Sequence, residues 1–127
     1  MPPSSNKILI VDDEEDFIAI LKQSLEIRGY EVITATNAVE AGMKMADRLP
    51  SIILMDIKMP GINGFQACEA IKRNPLTENV PIIITSALSD DATIKKAFKI
   101  GITDYLVKPV EIEKLLNRIK DILGNAR

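Results

Sequence analysis

The 127-residue chain has no histidine, no tryptophan and a single cysteine. Without imidazole it cannot build a Ser-His-Asp or Cys-His nucleophile, cannot hold zinc through histidine and cannot carry a phosphohistidine of its own. One cysteine forms no internal disulfide, and residues 1–6 lack the basic start and apolar stretch of a secretory leader, so a cytoplasmic setting is expected. The longest apolar runs are about five residues, far short of the ~20 that cross a bilayer, so no membrane segment is expected. No excess of either charge stands out: 16 basic residues face 18 acidic ones. A chain so balanced has no overall positive field to attract nucleic acid, and direct contact with it is not expected.

What is present is a rhythm. With 46% hydrophobic content the chain can bury one sizeable core. After a tail expected to be flexible over residues 1–6, β-branched apolar runs alternate five times with amphipathic stretches, the pattern of a parallel sheet with crossover helices. The strands are placed at Lys7–Val11, Glu31–Ala35, Ser51–Met55, Pro81–Thr85 and Asp104–Val107. Their almost unbroken apolarity predicts helices on both faces. One domain over residues 7–124 accounts for the whole pattern.

The helices show their ends. Glu14 to Arg28 carries Phe17, Leu21 and Leu25 at helical spacing and stops at Gly29. Asn37 followed by Glu40 has the form of a capping box for a second helix ending near Arg48. Apolar stripes at Phe65, Cys68 and Ile71, at Ile94, Ala97 and Phe98, and at Ile112, Leu115, Leu116, Ile119 and Leu123 mark three more. Cys68 reads as a small core residue, and Lys95, Lys96 and Lys99 as a solvated face.

Chemistry gathers where the strands end. Asp12 and Asp13 follow the first run, Asp56 the third, Ser86 the fourth and Lys108 the fifth. In open α/β sheets ligands bind at the carboxyl ends of the strands. Three carboxylates there suit a hard divalent cation, and a lysine and hydroxyl beside them suit a phosphoryl group. Singly each is weak, since an aspartate before a helix is often only a cap. Together they require the first and third strands to be neighbours at the switch point of a doubly wound sheet.

The segments VDDE, MDIKMPGINGF, TSA and GITDYLVKP resemble the signature segments of response-regulator receiver domains, and the resemblance runs from Lys7 to Leu123. It implies a flavodoxin-like five-stranded parallel sheet of order 2-1-3-4-5. It implies that Asp56 accepts a phosphoryl group from a histidine kinase or histidine phosphotransfer protein, with Mg²⁺ as cofactor. Asp13, Asp56 and the backbone carbonyl of Lys58 would bind the metal directly, and Asp12 through water. Lys108, ahead of a cis Pro109, would pair with the phosphoryl oxygens. Ser86 and Tyr105 would switch the surface of helix four, strand five and helix five toward a downstream target protein or output domain. Lys58 and Leu88, two residues beyond the acceptor and the switch hydroxyl, would set the lifetime of the phosphorylated state, and Ala87 would leave room for the phosphate.

Two positions depart from relatives with winged-helix outputs: Val110 in place of phenylalanine, and Lys114 in place of an acidic residue. They count against the dimer typical of those relatives while leaving a phosphorylation-dependent homodimer open. Two other readings compete. A haloacid-dehalogenase-type aspartyl-phosphate phosphatase calls for D-x-D after the first strand, and the aspartates here are adjacent. A receiver-like module working without phosphate calls for a decayed site, and none of the five positions is lost. A dinucleotide fold lacks its G-x-G-x-x-G turn.

Overall fold

The computed structural model describes residues 6–58 and 64–124. Strands β1 (Lys7–Val11), β2 (Glu31–Ala35), β3 (Ile52–Met55), β4 (Ile82–Ser86) and β5 (Asp104–Val107) alternate with helices α1 (Glu15–Ile27), α2 (Ala38–Asp47), α3 (Gly64–Arg73), α4 (Asp91–Ile100) and α5 (Ile112–Leu123). All strand pairs are parallel and the order is β2-β1-β3-β4-β5, as expected. Of the tail only Asn6 is described, and its carbonyl accepts a hydrogen bond from the Glu31 amide at 3.0 Å.

Side-chain alternation sorts the sheet into two cores. Ala35, Val11, Met55, Ile84 and Tyr105 lie in one cross-strand row. That row packs with Ala41 of α2, Cys68 and Ile71 of α3 and Ala97 of α4. The preceding residues Ile10, Leu54 and Ile83 face Leu21 and Leu25 of α1 and Leu115 and Ile119 of α5. Helices α2–α4 therefore cover one face and α1 with α5 the other. The central strands β1, β3 and β4 are buried along almost their whole length, whereas the edge strands β2 and β5 are partly exposed. Continuous apolarity thus means double coverage only in the middle of the sheet.

Several boundaries differ from expectation by one residue. Strand β4 begins at Ile82 and takes in Ser86, because Ser86 pairs with Val107 and its carbonyl accepts from the Lys108 amide at 2.8 Å. Strand β3 begins at Ile52, leaving Ser51 ahead of it. Glu14 is the residue before α1 and not its first turn. The capping box before α2 is real but shifted: Asn37 Oδ1 accepts from the Glu40 amide, while Glu40 returns its bond to the amide of Thr36. Phe98, placed on an apolar stripe, is 46% exposed, since α4 buries only Ala97 fully. Lys95, Lys96 and Lys99 are exposed as expected, although the Lys96 ammonium lies 4.5 Å from the centre of the Phe65 ring.

Glycine is obligatory at two kinds of place. Gly29, Gly101 and Gly124 take positive φ at helix ends. Gly64 opens α3 against Ile57, and a Cβ there would overlap the Ile57 backbone. That close approach fixes the residue next to Asp56.

Candidate functional site

Strand register and alternation bring the expected residues together in two groups. The amide of Asp56 donates to the carbonyl of Val11 at 2.9 Å, and that of Asp12 to Ala35 at 3.1 Å, so both aspartates are held one step beyond the paired ends of their strands. Because Val11 and Met55 face α2–α4, the next residues turn to the α1/α5 side. Lys108 lies three residues beyond Tyr105 and reaches the same side. Ser86, two beyond Ile84, stays with Tyr105 on the α4 side.

The first group is ionic. Asp12, 1% exposed, uses one carboxylate oxygen to accept from the Glu14 amide at 2.9 Å and the other from Lys108 Nζ, also at 2.9 Å. Lys108 Nζ lies 3.4 Å from Asp56 Oδ2 and donates as well to Glu14 Oε1. Its remaining neighbour is the Phe17 ring, whose centre is 4.5 Å away. Asp56 Oδ1 accepts from the Lys58 amide at 2.9 Å. The peptide joining Lys108 to Pro109 is cis.

These contacts set the electrostatics. Burial pushes the Asp56 carboxyl above its ordinary range, against the pull of the Lys58 amide and Lys108, and the neighbouring Asp12 charge adds to the rise. Burial alone would lower Lys108, yet the hydrogen bonds it donates to Glu14 and Asp12 and the Asp12 and Asp56 charges carry it higher than usual. Cys68, by contrast, is pushed up to about 12 by burial, which makes it an inert core thiol.

Asp12, Asp13 and Asp56 each offer a carboxylate oxygen, and the three atoms lie within 4.8 Å of one another. The donors are all oxygen, which fits a hard divalent cation and not a soft one. Asp13 is exposed and makes no hydrogen bond or ion pair among the described residues, so its carboxylate is the least committed of the three.

The second group meets at Leu88. Ser86 is fully buried and its Oγ accepts from the Leu88 amide at 3.2 Å, while the Tyr105 hydroxyl donates to the Leu88 carbonyl at 2.6 Å. Tyr105 is 8% exposed, and burial raises its phenol. Leu88 itself packs, partly buried, against the α2–α4 core.

A cleft of about 820 Å³ opens over the ionic group, lined among others by Asp13, Phe17, Asp56, Lys58, Ala87 and Lys108. Of the two positions expected to govern lifetime, Lys58 lines it and Leu88 does not. Glu14 and Phe17 also belong to the ionic group, although the sequence marks them only as the start and the apolar stripe of the first helix. The acidic run DDEE was the available signal for Glu14, but which of its members reaches a lysine 94 residues away depends on the turn into α1. The MPGIN stretch, residues 59–63, lies outside the described residues.

Residues 8–120 match the response regulator receiver domain family, and the chain belongs to it. The phosphate regulon transcriptional regulatory protein PhoB of Rhizobium meliloti is 34% identical over 95% of this chain and 53% of its own length. The probable transcriptional regulator ycf27 of Pyropia yezoensis is 37% identical over 99% of this chain and 51% of its own. The chain thus spans about half the length of these relatives. Among solved structures, a two-component response regulator from Clostridium difficile superposes with a TM-score of 0.89 at 32% identity, covering 94% of this chain and 96% of that one. The chain is a receiver, a signalling domain of CheY-like fold. Among the described residues no helix is long and apolar enough to cross a membrane.

Proposed function

We propose that this receiver accepts a phosphoryl group on Asp56 from the phosphohistidine of a separate cytoplasmic kinase or phosphotransfer protein, in a Mg²⁺-dependent reaction. The observation that carries the reading is the convergence of Lys108 Nζ on Asp12 and Asp56 beside three carboxylates that share a cation-sized space. An oxygen of Asp56 attacks phosphorus, the bond from phosphorus to the donor imidazole breaks, and the imidazole leaves as the aspartyl phosphate forms.

Among the described residues the Asp13 oxygens are free of hydrogen bonds, which suits Asp13 to direct ligation; Asp56 would ligate beside it, and Asp12, buried and bonded to the Glu14 amide and Lys108, would act through water. The carbonyl of Lys58 would complete the protein ligands. When bound, Mg²⁺ offsets the charge that builds up between carboxylate and phosphoryl group. Lys108 orients the phosphoryl oxygens, and the Lys58 amide holds Asp56 Oδ1 so that Oδ2 is the oxygen presented to phosphorus.

Phosphorylation then draws on Ser86, which gives up Leu88 for the phosphoryl group and so loosens the loop held by Tyr105. The α4–β5–α5 surface passes the change to a downstream protein or output domain. The chain acts on no other substrate; it catalyses only its own phosphorylation and dephosphorylation. The test is incubation with phosphoramidate and Mg²⁺ followed by intact-mass measurement. One adduct of about 80 Da, the mass of an added PO₃H, is expected in wild type and none in Asp56→Asn. Equal labelling of the variant would remove Asp56 as acceptor.

A further inference from the structure

An ammonium group has three N–H donors, and in this structure carboxylates claim all of them. Lys108 faces Asp12 at 2.9 Å, Asp56 at 3.4 Å and Glu14. A phosphoryl oxygen would be a fourth claimant. The Asp56 contact lapses as its Oδ2 takes up phosphorus, and the phosphoryl oxygens then share the lysine with Asp12 and Glu14.

We propose that the entry to α1, from Glu14 to Phe17, is a holding site for Lys108, in which the Glu14 carboxylate competes with the phosphoryl oxygens and so restrains phosphorylation. Glu14 is the partner free to play this part. Asp12 is buried and Asp56 receives the phosphoryl group, whereas Glu14 lies outside the three-carboxylate cluster and its side chain is 59% exposed. It precedes α1 yet makes no side-chain capping bond, so helix formation does not explain the contact.

Phe17 supplies the other half. It lies three residues further on, hence on the same helix face, with its ring half-buried against the α1/α5 core and the Lys108 ammonium 4.5 Å from its centre. A cation over an aromatic face is attracted by the ring quadrupole. Ring and carboxylate together hold the lysine toward α1. Both are positioning residues: they act on the phosphoryl group only through Lys108. This inference rests on the phosphoacceptor reading above.

The experiment uses beryllofluoride with Mg²⁺ as the phosphoryl mimic and follows binding by amide NMR. Glu14→Gln keeps the size of the side chain and removes the charge. It is expected to bind the mimic about 3- to 5-fold more tightly, the scale of one partly exposed ion pair. Phe17→Leu should gain about 2-fold, the low end for an exposed cation–aromatic contact. The second readout uses no metal and no mimic: the ε-methylene protons of Lys108 should be shifted upfield by the Phe17 ring in wild type, less so in Glu14→Gln, and not at all in Phe17→Leu. Unchanged affinity in Glu14→Gln overturns the holding site. So does a gain in affinity with the Lys108 signal unmoved, which would mean that Glu14 merely repels the incoming anion. If folded wild type binds no beryllofluoride, the phosphoacceptor reading fails and the competition with it, while the methylene shifts still report whether the lysine is held.

Discussion

The hydroxyl of Tyr105 reaches the carbonyl of Leu88, 17 residues away in sequence, with a hydrogen bond of 2.6 Å. Ser86 takes the amide of the same residue. A single backbone unit is therefore gripped from both sides by the two groups expected to act as the switch.

Tyr105→Phe should lose one neutral hydrogen bond, about 1 kcal/mol, without creating a cavity. The ring should stay buried, because its packing against the α2–α4 core is unchanged. Thermal unfolding should detect the loss, and labelling by phosphoramidate should match wild type. A Tyr105→Phe protein that no longer accepts phosphate would show that the hydroxyl acts at the site itself and not on the loop.

Asp56 makes stability depend on pH with an unusual sign. Burial raises its folded pKa above the ordinary 3.8, so ionisation costs the fold stability at every pH above the raised value. Below 3.8 the carboxyl is neutral in both folded and unfolded chains and the cost vanishes. In metal-free buffer at pH 7 Asp56→Asn should melt higher than wild type, because the variant carries no charge to bury. The gap should close as pH falls through the raised value toward the ordinary one. Melting curves that diverge further in acid would reverse the assignment.

Asp12 and Asp13 should separate by what they lose. Asp12→Asn deprives a buried Lys108 contact of its charge and should destabilise the metal-free fold by about 1–3 kcal/mol. Asp13 is exposed and, among the described residues, unpaired, so Asp13→Asn should leave that stability unchanged while weakening Mg²⁺ binding more than Asp12→Asn does. Denaturant titrations with and without Mg²⁺ decide between this and equal effects at both positions.

Phosphoryl lifetime should depend more on Lys58 than on Leu88. Lys58 lines the cleft and its stem can shield the phosphoryl group, whereas Leu88 turns into the α2–α4 core. Lys58→Asn is expected to shorten the lifetime several-fold, on the order of 1 kcal/mol in barrier. Leu88→Glu should add to this chiefly by loosening the loop, with a visible loss of thermal stability. Following phosphate loss in the two single variants and the double one is the measurement; no acceleration in Lys58→Asn would remove its shielding role.

The sequence carried the sheet order and the gathering of Asp12, Asp13, Asp56 and Lys108 because period, strand-end position and family segments all repeated the same message. Local ends were less legible. Ser86 joins β4 because a pairing with Val107 extends the ladder, a fact of the neighbouring strand. Glu14 was hidden for a similar reason, since its partner is brought in by β5. Leu88 was placed by spacing from Ser86, and spacing says nothing about which way the loop turns a side chain.

The five strands also act as a partition. The cleft over Asp56 and Lys108 opens on the α1 side, while Ser86, Leu88 and Tyr105 belong to the layer that contains α4. The two groups are nevertheless joined along the chain: Ala87, which lines the cleft, separates Ser86 from Leu88. A change at the cleft can therefore reach the α4 layer along one stretch of backbone, through linked equilibria.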